Sequence, residues 1–281
     1  MKPFIKWVGG KTQILGEVLQ RFPREIDNYH EPFLGGGSVL IGLLSDESIT
    51  IKGNVVASDV NPHLITLYKK VQEHPNELLK NFNQIVEEYS KCPQEKGNKK
   101  PKTIEEAMTS RESYYYWVRY KFNIEHKPEQ FVFLNKTCFR GLHREGPNGF
   151  NVPFGHYKSL PTLDENNLLK VSKLFENVKF ICQSFEESFE NVQGGDFIYM
   201  DPPYVPVNTT SFTSYTKGEF KHNDLFTKIN ALKCRWLLSN ADVPILEESV
   251  DYGTIEVIEC RRAINSKDPS AKINEVLISY P

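Results

Sequence analysis

The sequence predicts an α/β fold, on three observations. Short apolar runs that read as strands alternate with longer stretches of helical periodicity. The clearest runs are Val55-Val56-Ala57-Ser58-Asp59, Val178-Lys179-Phe180-Ile181-Cys182, Phe197-Ile198-Tyr199-Met200 and Trp236-Leu237-Leu238-Ser239-Asn240. Two runs lead into an acid, Asp59 and Asp201, at the carboxyl end of a strand, where open α/β sheets bind ligands. A glycine-rich turn, Gly35-Gly36-Gly37-Ser38, separates a short strand at Tyr29-His30-Glu31 from an apolar helical run, Val39 to Leu44. That geometry brings a ligand close to backbone N–H groups at a helix start.

Composition bounds the class. The 281 residues are 39% hydrophobic and 25% charged, ordinary for a globular protein of one large domain or two smaller ones. The net charge of −2 does not announce nucleic acid, so any polyanion site must come from local clusters of Lys and Arg. Five widely spaced cysteines without a C-x-x-C pair favour reduced thiols over a zinc knuckle or a disulfide framework. No apolar run approaches a membrane span, and Met1 to Trp7 lacks the apolar core of a signal peptide. The expected location is therefore cytoplasmic, with no membrane partner.

Taken in order, Gly9-Gly10-Lys11-Thr12 opens a turn before a helical pattern from Gln13 to Phe22. A phosphate-binding P-loop needs a glycine five residues before Gly10, and Ile5 stands there. The glycine-rich turn at 35–37 lacks the strict G-x-G-x-x-G spacing, so alone it is weak. Asp59 fits either a ribose-hydroxyl acceptor or a helix N-cap, since Asn61-Pro62 follow; the glycine turn upstream favours the ribose. Pro62 to Ser90 is helical with a break near Pro75. Cys92 to Thr103, rich in lysine and poor in apolar residues, reads as a mobile surface loop. Ile104 to Phe122 reads as one long helix, with Tyr114-Tyr115-Tyr116-Trp117 mostly in the core.

The character then changes. Asn135 to Lys158 is rich in Gly, Pro and basic residues around a Gly146-Pro147-Asn148-Gly149 turn signal. We read a hairpin with Arg140 and Arg144 on one arm, and His156, Tyr157 and Lys158 on or after the other. A solvated basic hairpin is the plain alternative to a nucleic-acid reader. Asp164 to Phe175 and 223–233 are helical in pattern. Asn208 to Phe220 suits a lid over a site. Thr254 to Cys260 and Glu275 to Tyr280 read as paired strands, with Arg261, Arg262, Lys267 and Lys272 on the basic loop between them.

The stretch Asp201-Pro202-Pro203-Tyr204 carries the chemistry. Neither proline donates to a sheet ladder, and each forces the residue before it to be extended, so the strand must end at Asp201. The carboxylate, the Pro202 carbonyl and the Tyr204 ring are then held in a stiff loop at a strand's carboxyl end.

Four stretches resemble the Dam family, the D12 class of DNA adenine-N6 methyltransferases, in order and over essentially the whole chain. They are Lys6-Trp7-x-Gly9-Gly10-Lys11, Glu31-Pro32-Phe33-x-Gly35-Gly36-Gly37-Ser38, Asn151-Val152-Pro153-Phe154-Gly155-x-Tyr157-Lys158 and Asp201-Pro202-Pro203-Tyr204. The resemblance implies a Rossmann-like sheet with helices on both faces for S-adenosylmethionine, formed by residues 1–61 and 159–281. It implies an inserted, mainly helical target-recognition domain with a β-hairpin at 62–158. Trp7, Lys11, Asp59 and Asp201 would line the cofactor site. Phe33, Gly35, Gly37 and Ser38 would lie beside its methionine part, and Ser184 and Phe185 near its adenine. The product would be S-adenosylhomocysteine, and no metal is implied.

Asp201, Pro202, Pro203 and Tyr204 would form the catalytic set that receives a flipped adenine. Lys6, Phe139, Leu142 and Arg144 would contact duplex DNA, with Pro153 and Tyr157 nearby. Arg140 stands where many members have Asn, and His156 where many have Arg; both lie in the reading head. The turn from Glu145 to Gly149 also differs from the usual one. A short palindrome of GATC or CATG type is the expected site, with a cognate restriction endonuclease as a further partner. The competing readings are a cytosine-N4, RNA-adenine or protein-glutamine methyltransferase, a nucleotide-dependent enzyme using Gly9-Gly10-Lys11-Thr12, and a non-catalytic DNA-binding relative.

Overall fold

The computed structural model describes residues 1–205, 220–250, 253–261 and 272–280. These fall into two compact units. One joins Met1–Gly9 to Pro62–Glu176; the other joins Gly10–Asn61 to the described residues from Asn177 onward. Residues 1–9 and 159–176 thus group with the helical unit by contact, whereas the sequence reading assigned them to the catalytic domain.

The second unit is built on a seven-stranded sheet. In chain order its strands are β1 (Tyr29–Glu31), β2 (Val55–Asp59), β3 (Val178–Cys182), β4 (Phe197–Met200), β5 (Arg235–Ala241), β6 (Thr254–Arg261) and β7 (Lys272–Tyr280). From one edge they lie β3-β2-β1-β4-β5-β7-β6. The first five are parallel, and β7 runs antiparallel to both neighbours. Strand order reverses between β1 and β4, and the crevice beyond the carboxyl ends at such a reversal is where open sheets take ligands.

Every residue of β4 is buried, as a central parallel strand covered on both faces requires. Side chains alternate along it. Ile198 and Met200 pack with Trp236, Leu238 and residues of the helices Phe185–Phe189, His222–Ala231 and Pro244–Ser249. Phe197 and Tyr199 face the other way, onto Phe22 at 4.7 and 5.8 Å between ring centroids. Phe22 follows the helix Leu15–Gln20, so helical segments cover both faces, as expected. Helix Ser38–Leu44 packs close to Leu15–Gln20. A Cβ on Gly42 would stand 2.8 Å from Leu15 Cδ1, so a larger residue there would make the Leu15 side chain move.

The first unit is mainly helical around an aromatic core that includes Tyr68, Phe82, Tyr89, Tyr115, Phe122, Phe131 and Phe175. Pro62–Glu73 and Pro75–Lys91 are the broken pair expected from Pro75. The single helix expected from Ile104 to Phe122 is two. Thr103 caps Ile104–Ala107, and Ser110 caps Arg111–Glu125 by accepting the Ser113 N–H. A Ser hydroxyl competes for backbone amides and here starts a new helix. Tyr114, Tyr115 and Tyr116 are buried, as expected of a core cluster.

The lysine-rich loop is not free, contrary to the mobile reading. The Gly97 N–H donates to the Glu112 carboxylate at 3.1 Å, Asn98 N–H to Ser113 Oγ at 2.8 Å and Lys102 N–H to Glu106 at 2.9 Å. Side chains at two helix starts reach back and pin its backbone. A helix at Pro128–Thr137, opened by Pro128 at its first turn, takes residues 135–137 that the hairpin reading claimed. The hairpin itself is short: Glu145–Gly146 pairs with Gly149–Phe150 across Pro147-Asn148. The lid read at Asn208 to Phe220, apart from Phe220, and the basic loop read at 261–272, apart from the backbone of its end residues, lie outside the described residues.

Candidate active site and reading head

In the sheet unit the sequence-selected residues converge at the strand reversal. β4 ends at Met200, and Asp201 follows it. The Lys11 ammonium lies 2.7 Å from both Asp201 carboxylate oxygens. Lys11 is 3% exposed and the Asp201 side chain 19%, so this is a largely buried ion pair. Burial pushes the Asp201 pKa up to about 6 although Lys11 pulls it down; Glu275 adds a smaller upward push. At neutral pH Asp201 is therefore ionised and offers acceptors only.

Lys11 also ties this carboxylate to the glycine turn, because its backbone N–H donates to Ser38 Oγ at 3.0 Å. Gly35 and Gly37 adopt left-handed φ of 48° and 67°, which a Cβ disfavours, and Gly37 caps helix Ser38–Leu44. The turn is fastened to β2: Leu34 N–H donates to the Ser58 carbonyl, and Gly35 N–H to Asp59 Oδ2 at 3.0 Å. Asp59 Oδ1 accepts the Asn61 N–H at 2.9 Å. The two readings of Asp59 are thus not exclusive. It holds the turn on one side and the start of the next segment on the other, and each oxygen keeps a second lone pair. Burial raises its pKa against the pull of those two amides.

Ser184 caps helix Phe185–Phe189 in a reciprocal box with Glu187. This places Phe185 against Phe33, their rings stacked at 5.7 Å and 28°. Phe220 packs edge-on to Phe33. Phe33 and Phe185, selected for opposite ends of a cofactor, form one aromatic group beside the turn.

Three residues of this site escaped the sequence reading. The Tyr204 hydroxyl donates to Glu275 Oε2 at 2.8 Å, while the Tyr204 ring lies 4.9 Å from the Lys11 ammonium. Asn240, fully buried at the end of β5, accepts the Val205 N–H at 3.1 Å. Glu275 and Asn240 therefore fix the far end of the Asp-Pro-Pro-Tyr loop from the two neighbouring strands, β7 and β5. Asn240 was legible as the polar end of an apolar run; Glu275 lies 71 residues from Tyr204 and gave no local signal. Glu31, buried and accepting from the Tyr29 hydroxyl at 2.7 Å, has its pKa pushed up to about 8 by burial and secondarily by Asp201. Burial thus favours its protonated form.

In the helical unit the expected reading residues form a second connected group. The Lys6 ammonium lies 4.8 Å over the Tyr157 ring, and its backbone is clamped by the Asn135 amide, which both donates and accepts. The Tyr157 hydroxyl accepts the Arg140 N–H at 3.0 Å, and the Pro153 carbonyl accepts the Phe139 N–H at 2.8 Å. Phe139 is 45% exposed with the Arg140 guanidinium 5.2 Å from its ring. Arg144, Pro153 and His156 are exposed, and Leu142 is half-buried. Trp7 stacks on His143 at 5.5 Å and 29°. Lys136, missed by the sequence reading, has its pKa pushed down to about 8 by burial and by the neighbouring Lys6 charge. Two neighbouring ammonium groups near the exposed Phe139 suit an anion. Among the described residues no cluster of three or more His, Cys, Asp or Glu has metal-site geometry, and no helix is long and apolar enough to cross a membrane.

With this geometry in hand, comparison with known proteins is informative. Residues 7–264 match the family described as D12 class N6 adenine-specific DNA methyltransferase. The chain is 38% identical to type II methyltransferase M.MjaIII of Methanocaldococcus jannaschii, covering 99% of this chain and 98% of that one. It is 29% identical to type II methyltransferase M1.LlaDCHI of Lactococcus lactis subsp. cremoris, with 99% and 95% covered. It is 28% identical to the DNA adenine methylase of Escherichia coli K12, again with 99% and 95% covered.

Proposed function

The chain belongs to the D12 class of N6 adenine-specific DNA methyltransferases, and from that premise we propose that it methylates the adenine of a short palindromic duplex site, of GATC or CATG type, after flipping that base out of the helix. The observation that carries this reading is the Asp201 carboxylate, ionised at neutral pH and held at the strand reversal beside the glycine turn. S-adenosylmethionine, when bound, supplies the electrophilic methyl on a sulfonium and leaves as S-adenosylhomocysteine. The donor set fits such a group. Asp59 has lone pairs for ribose hydroxyls, the Lys11 ammonium suits a carboxylate, and Phe33, Ser184 and Phe185 edge the glycine turn. Trp7 completes the set by family resemblance.

Adenine N6 is a weak nucleophile because its lone pair is delocalised into the ring. The free lone pairs of Asp201 and the Pro202 carbonyl accept the two N6 hydrogens. That favours pyramidal nitrogen and stabilises the charge that develops on it. Pro202 and Pro203 keep both acceptors in place, and the Tyr204 ring stacks on the flipped base. Lys6, Phe139, Arg140, Leu142, Arg144, Pro153, His156 and Tyr157 form the surface that engages the duplex, with Arg144 reading a base edge. This activity places the protein with intracellular DNA, in the cytoplasm, and a restriction endonuclease for the same site is a fitting partner.

The test is transfer of tritiated methyl from S-adenosylmethionine to duplex DNA, followed by nucleoside analysis and by mapping of methylated genomic DNA. Label in N6-methyladenine at one short palindrome is expected. Label in cytosine, in RNA, or at adenines without sequence context would overturn the proposal.

A further inference from the structure

Arg144 is exposed, and an exposed arginine reads a base well only if something holds its guanidinium. Asn151 does so. The two residues form the next pair beyond the Glu145–Phe150 rung of the hairpin, where the Asn151 N–H donates to the Arg144 carbonyl at 3.0 Å. The side chains repeat the pairing. Arg144 Nε donates to Asn151 Oδ1 at 2.6 Å, and Arg144 Nη2 reaches the Asn151 carbonyl at 3.4 Å. Gly146 makes the room. A Cβ there would stand 2.5 Å from Asn151 Nδ2, and its backbone is not in the left-handed region, so space is what this glycine provides.

A guanidinium presents donors on two usable edges: Nε with Nη2, and Nη1 with Nη2. Asn151 occupies the first. Resting on the reading of Arg144 as a base contact, we infer that Asn151 is a specificity-determining positioning residue that commits the Nη1–Nη2 end of Arg144 to O6 and N7 of one guanine. A bidentate contact needs this orientation, whereas a phosphate contact is served by either edge. The hairpin turn, unusual for the family in sequence, thereby enters specificity through the space it leaves for one amide.

The experiment measures methylation kcat/KM of the full chain on duplexes in which each base pair of its site is replaced in turn. Arg144→Ala is expected to reduce discrimination at one base pair about tenfold or more. Asn151→Ala should reduce discrimination at that same pair by about threefold to tenfold, and add nothing to Arg144→Ala in the double variant. Asn151→Asp keeps an acceptor for Nε. It should weaken all duplexes by charge repulsion yet retain the discrimination. Gly146→Ala, which crowds the amide without touching Arg144, should behave as Asn151→Ala does. Unchanged cofactor binding certifies that each variant is folded. If Arg144→Ala relaxes one pair while Asn151→Ala and Gly146→Ala leave it untouched, or weaken every duplex equally, the positioning role is refuted. If Arg144→Ala itself leaves every pair unchanged, the base-contact reading fails first, and the inference with it.

Discussion

The acceptor loop at 201–204 and the reading hairpin at 144–151 solve the placement of one polar group in opposite ways. Asp201 is held from within the sheet unit: two prolines, a buried strand and the ion pair with the buried Lys11. Arg144 is held by a side chain on an exposed turn. The contrast extends to the backbone. Around the glycine turn the left-handed residues are Gly35 and Gly37, which adopt it without strain. Among the described residues the non-glycine left-handed positions are His126, Arg140 and His156, all in the helical unit. Two of these, Arg140 and His156, are among the positions that the resemblance marked as departures from the usual pattern. The proposed chemical site is built from geometry with few alternatives, whereas the proposed reading head is built from side chains, two of them on strained backbone.

The largest effect that separates the two regions is expected at Asp201. Asp201→Ala should lower methyl transfer by about a thousandfold, as loss of a preorganised acceptor does, while equilibrium dialysis shows cofactor binding largely kept. Retained turnover would mean that the Pro202 carbonyl suffices and that the carboxylate is not the acceptor. Next is Lys11→Met, which strands Asp201 as an unpaired buried carboxylate. A stability loss of about 3–5 kcal/mol in urea unfolding is expected.

The pH profile sharpens the same point. Because the Asp201 pKa lies near 6, its acceptors are present above that pH, and kcat/KM should fall about tenfold per unit below it. In stability the sign is reversed. A raised carboxylate pKa favours the protonated folded state, so this contribution is present below the unfolded value of about 4 and is lost as pH rises through 6. An acid limb nearer 4 would show that Lys11 dominates burial.

On the reading side, Arg144→Ala should cost about 1–3 kcal/mol at a single base pair; an equal loss on all duplexes would reassign it to phosphate. The smallest effect is Arg140→Asn. Asparagine tolerates the left-handed region, so the variant should gain about 0.5–1 kcal/mol in thermal unfolding. No gain would mean that the contact between the Arg140 guanidinium and the Phe139 ring offsets the strain.

The two regions were also unequally legible in the sequence. The strands of the sheet, the break at Asp201 and the turn at Gly146–Gly149 follow from local rules: apolar runs, prolines and turn residues. The Lys11–Asp201 pair spans 190 residues and the Tyr204–Glu275 bond 71. No local pattern announces such partners, and only family resemblance had marked Lys11. The helix boundary at Ser110 was missed although both its signals were in plain view, the polar gap from Thr109 to Ser113 in the apolar pattern and the hydroxyl that starts the second helix. The pinned lysine loop was misread because composition reports what a segment can bury, not what caps at neighbouring helix starts can hold. For Arg144 the residue type was readable but its orientation was not, since that depends on a partner across a turn and on the space over a glycine.

The place of β7 in the sheet has a consequence for how the enzyme comes into being. This strand is the last of the seven in the chain, yet it lies between β5 and β6, both made earlier. Its Glu275 anchors the Tyr204 hydroxyl. On the ribosome, a growing chain carries its acid, prolines and tyrosine for some seventy residues of synthesis before the anchor emerges. During that interval β5 lacks its β7 neighbour, and the Tyr204 hydroxyl lacks its Glu275 acceptor. The anchor of Tyr204 therefore arrives late, with insertion of one strand, and a nascent fragment that already carries the Asp-Pro-Pro-Tyr sequence lacks the bond that fixes its last ring.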